Sequence, residues 1–222
     1  MDASPTPLDG RFVLLTDETI DMLTMARRAF LEQRRALVKS VLALGEDVHR
    51  AEKALTGGIV PVAAEGGGNP MEAEKVFVPM HLERIGDNIE AFARAVDRQM
   101  QDGVLFTDRA MREIDNLLEH ALELLEATRD ILRTGNRTLV HHVLTDGPRF
   151  QATASEFASF HQERLIQGLC RPHASSIYLA MIDYLRGIER HQRDIVRKVT
   201  AHAVASHAAP GPVVGAGAED SR

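Results

Sequence analysis

Glu83 and Asp87 stand four residues apart in the run Leu82-Glu83-Arg84-Ile85-Gly86-Asp87-Asn88-Ile89-Glu90. On a helix that spacing puts both carboxylates on one face. Neighbouring like charges repel mildly, so either plain solvent or a bound cation must make the pair tolerable. Gly86 between them costs a helix about 1 kcal/mol relative to alanine. A glycine in mid-helix marks a place where another group comes close.

Other residues here invite different chemistry. Glu46-Asp47-Val48-His49 is one Glu-x-x-His pair, half of what a carboxylate-bridged di-iron bundle requires. No convincing second pair accompanies it. Among ten histidines, His81 is the best placed for a phosphotransfer module, which needs an exposed imidazole on a bundle helix. Cys170 and His173 are half of a metal-like pair whose other half is not visible. No combination of nucleophile, base and oxyanion stabiliser emerges, so the chain reads as a non-enzyme.

The elements that must carry these residues are helical. Val78, Leu82, Ile85, Ile89, Phe92 and Val96 recur three and four apart, the mark of a helix with one buried face. Glu83 and Asp87 lie roughly opposite that stripe. Thr16-Asp17 signals the start of a first helix carrying Ile20, Leu23, Ala26 and Phe30. A turn is expected around Gln33-Arg34-Arg35. A second helix then shows Leu37, Val41, Leu44, Val48, Ala51 and Leu55, and is expected to stop at Gly57-Gly58. A loop follows over 57–72, and the third helix runs from about Glu72 to Gln101, with Pro79 kinking it or marking a late start. Asp102-Gly103 closes this half.

Leu105-Phe106-Thr107-Asp108 then echoes Leu14-Leu15-Thr16-Asp17. A fourth helix carries Met111, Ile114, Leu118, Ala121, Leu125 and Leu132, and Gly135-Asn136 turns the chain. The fifth begins at Leu139, is expected to break at Asp146-Gly147-Pro148, and restarts through Ala154 and Phe157 to Gly168. The sixth carries Ile177, Met181, Leu185, Ile188, Ile195 and Val199. Sliding one half over the other lays Leu82-Glu83-Arg84 on Ile188-Glu189-Arg190. The pattern predicts an all-α protein of six helices, duplicated as two tandem three-helix bundles. The first repeat covers 15–102 and the second 103–205, between an irregular N-terminus (1–14) and a disordered Ala/Gly/Pro-rich tail (206–222).

Length and composition agree. The chain has 222 residues, no Trp and ordinary charged content, enough for one or two domains with a real core. No apolar run reaches the roughly 18 residues of a membrane span, and the N-terminus has no signal core. A formal charge of −6 argues against nucleic acid as the main partner. The single cysteine allows no internal disulfide, which fits a reducing cytoplasm.

The string from Leu82 to Glu90 closely resembles the signature helix of the PhoU family of phosphate-transport regulators. The resemblance extends over roughly 15–203, is good over Ser40 to Leu55, and is faint in the second half. It implies a regulator of phosphate uptake and phosphate signalling that docks on a phosphate transporter, on a sensor histidine kinase, or on both. Membrane association would be peripheral, and such proteins often form homodimers. In the family, acids of the third helix face acids of the second, and the pairs hold iron, zinc or similar cations on the bundle surface. Carried over here, Glu83 and Asp87 would share a cation with Glu46, His49 and Glu52. The family's helix-two acids are replaced by Gly45 and His49. In the second half Arg193 takes the place of the paired acid, beside Glu189, so a salt bridge substitutes for a metal there. At most one metal site is expected, in the first repeat. The competing reading is a metal-free helical scaffold or accessory domain of a transporter.

Overall fold

Leu82, Ile85, Ile89, Phe92 and Val96 are all fully buried in the computed structural model, as their spacing requires. The structure describes residues 10–65 and 77–207, with side chains over 10–58 and 77–201. Among these residues there are six α-helices and no strand: α1 (Gly10–Glu32), α2 (Arg35–Glu65), α3 (Phe77–Gln101), α4 (Asp108–Thr134), α5 (Arg137–Ile166) and α6 (Pro172–His207). The helices α1, α2 and α3 pack on one another, as do α4, α5 and α6. Two three-helix bundles result, joined where α1 meets α4 and α3 meets α6. One apolar core runs through both.

A line of rings crosses the junction. Phe92 of α3 meets Phe30 of α1 edge-on at 6.0 Å, and Phe30 meets Phe106 of the α3–α4 linker at 6.4 Å. Phe106 stands edge-on to Tyr178 of α6 at 5.9 Å, and Tyr178 stacks on His161 of α5 at 4.2 Å. Such pairs add about 0.5–1.5 kcal/mol each beyond the area they bury.

Local chemistry explains the turns. Gln33 takes a positive φ of 50° between α1 and α2, at the expected turn. Thr107 caps α4 by accepting from the Ala110 amide, and Gly135 ends α4 in the left-handed region with φ 64°. Asn136 then caps α5 through the amides of Thr138 and Leu139. Pro79 stands third in helix α3, Phe77–Gln101, where the missing N–H is harmless.

Three boundaries differ from expectation. Helix α1 starts at Gly10 rather than near Thr16, because Phe12 and Leu15 extend its buried stripe backwards. The Thr16 hydroxyl donates to the Phe12 carbonyl at 2.8 Å, an internal bond and not a cap. Helix α2 runs through Gly57-Gly58 to Glu65. Glycine ends a helix by adopting positive φ, and these two do not. Helix α5 is unbroken across Asp146-Gly147-Pro148. Val143 and Phe150, both buried, carry the stripe past the proline, and the Asp146 carboxylate pairs with Arg149 at 2.9 Å and His142 at 3.1 Å rather than capping a restart. The remainder of the expected 57–72 loop, the first residues of the expected third helix and the tail beyond 207 lie outside the described residues.

Periodicity alone would not reveal the buried ionic network of the second bundle. Glu113 of α4 accepts from Tyr178 Oη at 2.5 Å, from Arg109 Nε at 2.8 Å and from Arg164 Nη2 at 3.2 Å. Burial would push the Glu113 carboxyl up, but these three donors outweigh it and hold the group below the usual carboxylate range. Burial and the Glu113 charge push the Tyr178 hydroxyl far above its usual value.

Tyr178→Phe should therefore cost about 1–3 kcal/mol of stability at neutral pH, the typical cost of stripping a partner from a buried polar group. Glu113 has a depressed folded value, so its contribution is present at neutral pH and fades as pH falls through that value. Urea denaturation should show the gap between variant and parent narrowing in acid. Equal stability of the two proteins at neutral pH would refute this account of the network.

Candidate functional site

The cleft between α2 and α3 is set by two inward-facing stripes. Val41, Val48 and Leu55 of α2 and Leu82, Ile85 and Ile89 of α3 are buried against each other and the rest of the core. Residues one step round each helix then line the outer margin where α2 and α3 meet. Gly86 is what comes close here: a Cβ on it would lie 3.4 Å from Val48 Cγ1. Gly45 is covered by the Glu90 side chain, which Arg94 holds at 2.5 Å.

His49 Nδ1 lies 3.2 Å from Glu83 Oε1 across this margin. Glu52, one turn further along α2, accepts the Thr56 hydroxyl at 2.7 Å. His49, Glu52 and Glu83 can each present a ligand atom within 4.8 Å of the other two. Two carboxylates and an imidazole suit iron, zinc and similar cations. The Thr56 hydrogen bond fixes one carboxylate, as outer contacts do in metal sites.

Asp87 and Glu46 are not part of that trio. Both line the cleft, but the Asp87 side chain is 57% exposed and is met by its helix neighbour Arg84 at 3.5 Å, whereas Glu83 is only 25% exposed. Four-residue spacing put Glu83 and Asp87 on one face, and both line the cleft; of the two, Glu83 is the one within ligand reach of His49 and Glu52. Glu46 and His49 both point outward. They are therefore unsuited to an inward-facing di-iron site. His81 is half-buried, with Nδ1 3.0 Å from His191 Nδ1, so it is not the free surface imidazole that phosphotransfer requires. His173 Nε2 donates to the Asp102 carboxylate at 2.8 Å.

The matching place between α5 and α6 has a different solution. Gln151 stands to Glu189 as His49 stands to Glu83, its amide donating to the carboxylate. Arg193 reaches the same carboxylate, Nη2 to Oε2 at 3.2 Å and Nε to Oε1 at 3.0 Å. Gly147 makes room, since a Cβ there would collide with Glu189. Glu189 is fully buried; burial pushes its carboxyl up, against the pull of Gln151 and Arg193. The guanidinium thus fills the position a cation would take.

No protein-family model matches this chain, and no curated protein matches it in sequence. Solved structures do. PhoU from Pseudomonas aeruginosa superposes with a TM-score of 0.80 at 13% identity, covering 89% of this chain and 95% of that one. The phosphate transport system regulatory protein PhoU from Streptococcus pneumoniae superposes with a TM-score of 0.75 at 12% identity, covering 85% and 89%. The fold is a divergent PhoU-like helical bundle.

Removing the guanidinium should expose the cost of Glu189. Arg193→Gln should destabilise the protein by about 3–5 kcal/mol, the cost of stranding one member of a buried pair. A second change, Glu189→Gln, should restore most of the loss. Denaturant unfolding of the single and double variants checks this, and a double variant no more stable than Arg193→Gln would contradict it.

Proposed function

We propose that this chain is a PhoU-like regulator of phosphate uptake and phosphate signalling. It acts by docking on a phosphate transporter, on a sensor histidine kinase, or on both, and it performs no chemistry of its own. The observation that carries this reading is the fold: a PhoU-like superposition spanning nearly the whole of both chains. The Streptococcus pneumoniae relative in fold is itself named a regulatory protein of the phosphate transport system. No helix of the described residues is long and apolar enough to cross a membrane, so attachment to membrane-embedded partners would be peripheral.

The two helix triads are read as tandem repeats, 15–102 and 103–205. The first repeat offers a cation site in His49, Glu52 and Glu83, with Asp87 and Glu46 on its rim for a partner or for further coordination. An iron, zinc or similar ion held there would join α2 to α3 by ligand bonds. Three protein ligands leave positions open to water or to an oxygen ligand from a docked partner. In the second repeat, Arg193 makes the same region a closed, structural ion pair. The docking face therefore belongs to the first repeat.

The protein used as bait on detergent-solubilised membranes should recover components of a phosphate transporter or a sensor kinase. Glu83→Ala with Asp87→Ala should lose that capture while circular dichroism shows unchanged helicity. Cells lacking the gene should fail to repress phosphate uptake when phosphate is plentiful. Normal repression in those cells, with no such component captured, would end this reading.

A further inference from the structure

A second group of ligating side chains lies where the two bundles meet, well away from the α2–α3 cleft. His81 comes from α3; His191 and Asp194 come from α6, three residues apart and so on one face of it. Each can offer an atom within 4.8 Å of the other two. The imidazoles are 5.2 Å apart between ring centres, with their Nδ1 atoms 3.0 Å apart. All three residues are half-buried. The helices are brought together nearby at Gly187, where the Asn88 side chain of α3 occupies the space a Cβ would need.

The two Nδ1 atoms face each other across the α3–α6 junction, with the Asp194 carboxylate beside them. One Nδ1 must carry a proton and the other accept it, and both cannot be protonated at this separation. Two nitrogens on a tetrahedral zinc ion lie on the order of 3.3 Å apart, given bonds of about 2.0–2.1 Å. The observed spacing therefore needs to open by only a few tenths of an ångström. We propose that His81, His191 and Asp194 form a binding site for a zinc-like divalent transition metal that bridges α3 and α6.

Burial holds both imidazoles below their usual value, partly countered by Asp194. The cations that bear on the group, Arg84 and Arg190 on His191 and Lys198 on His81, are exposed and act through solvent. Asp194 has one other contact, Arg197 at 3.6 Å, which ligation can displace. Three protein ligands leave a fourth position for water. An ion here would pin the two bundles to each other, whereas the α2–α3 site would act within one bundle. The proposal is independent of the regulatory reading above.

The test uses the full chain with His49→Ala and Glu83→Ala, which removes the first cleft. Calorimetric titration with Zn2+ should show one bound ion, and Zn2+ should raise the thermal midpoint. Adding His81→Asn and His191→Asn should weaken binding by about 100-fold or more, beyond what loss of an outer contact does. Co2+ added to the protein with both histidines intact should give the intense visible absorption of a four-coordinate site, a readout that needs no further variant. Absence of Zn2+ binding in the first background would overturn the proposal. So would binding unchanged by the two asparagines, or a Co2+ spectrum showing only weak six-coordinate bands.

Discussion

Helix α3 must satisfy three neighbours at once, and most of the molecule follows from how it does so. It packs against α1, α2 and α6, and its inward residues from Leu82 to Val96 have no exposed surface. A helix that buries one broad stripe against three partners cannot rotate without ejecting some of those side chains into water, at about 25 cal/mol for each Å² exposed. Its two margins are fixed in consequence. Glu83 is held towards α2, and His81 towards α6. Gly86 and Gly187 allow the approach on the two sides, the first to Val48 and the second to Asn88. The places where this protein offers ligand atoms are thus by-products of one packing problem.

Three buried or half-buried carboxylates show how the same desolvation cost is met by different means. Glu113 is surrounded by Tyr178, Arg109 and Arg164 and stays below the usual carboxylate range. Glu189, with Gln151 and Arg193, is still pushed up, because it has lost all solvent. Glu83 keeps a quarter of its side-chain surface and meets only a histidine. The difference between Glu83 and Glu189 is one of remaining capacity. Glu189 has spent its strongest contacts on a fixed guanidinium. Glu83 retains oxygen lone pairs facing solvent and two more potential ligands, His49 and Glu52, within reach.

Much of this was readable from the chain, and the exceptions have physical causes. The six helices and their duplication follow from spacing, since a 3.6-residue period over many turns is hard to produce otherwise. The pairing of Arg193 with Glu189 was foreseeable from four-residue spacing and opposite charge. Breaks assigned at Gly57-Gly58 and at Gly147-Pro148 did not occur; at the second, local propensity was outweighed by a buried stripe that continues on both sides. Val143 and Phe150 flank the proline, both buried. The site itself was half visible. His49, Glu52 and Glu83 do converge, while Asp87 lines the same cleft on its exposed rim beside Arg84. Nothing in one-dimensional spacing could place His81 beside His191, which lies 110 residues away.

The position of the two ligand groups bears on how signals could pass through such a molecule. Each uses α3, one on either margin. An ion at His49, Glu52 and Glu83 would draw α3 towards α2 within the first bundle. An ion at His81, His191 and Asp194 would draw it towards α6 in the second. Both constraints would act on one rigid stripe, so tightening one side would fix the other margin as well, without any change in the core. Coupling of that kind needs only that α3 move as a body. The ring line through Phe92, Phe30, Phe106 and Tyr178 gives it a packed route from the first bundle to the second. A partner seated on the exposed rim at Asp87 would then sense the state of the junction between the bundles through the same helix that carries its own contact residues.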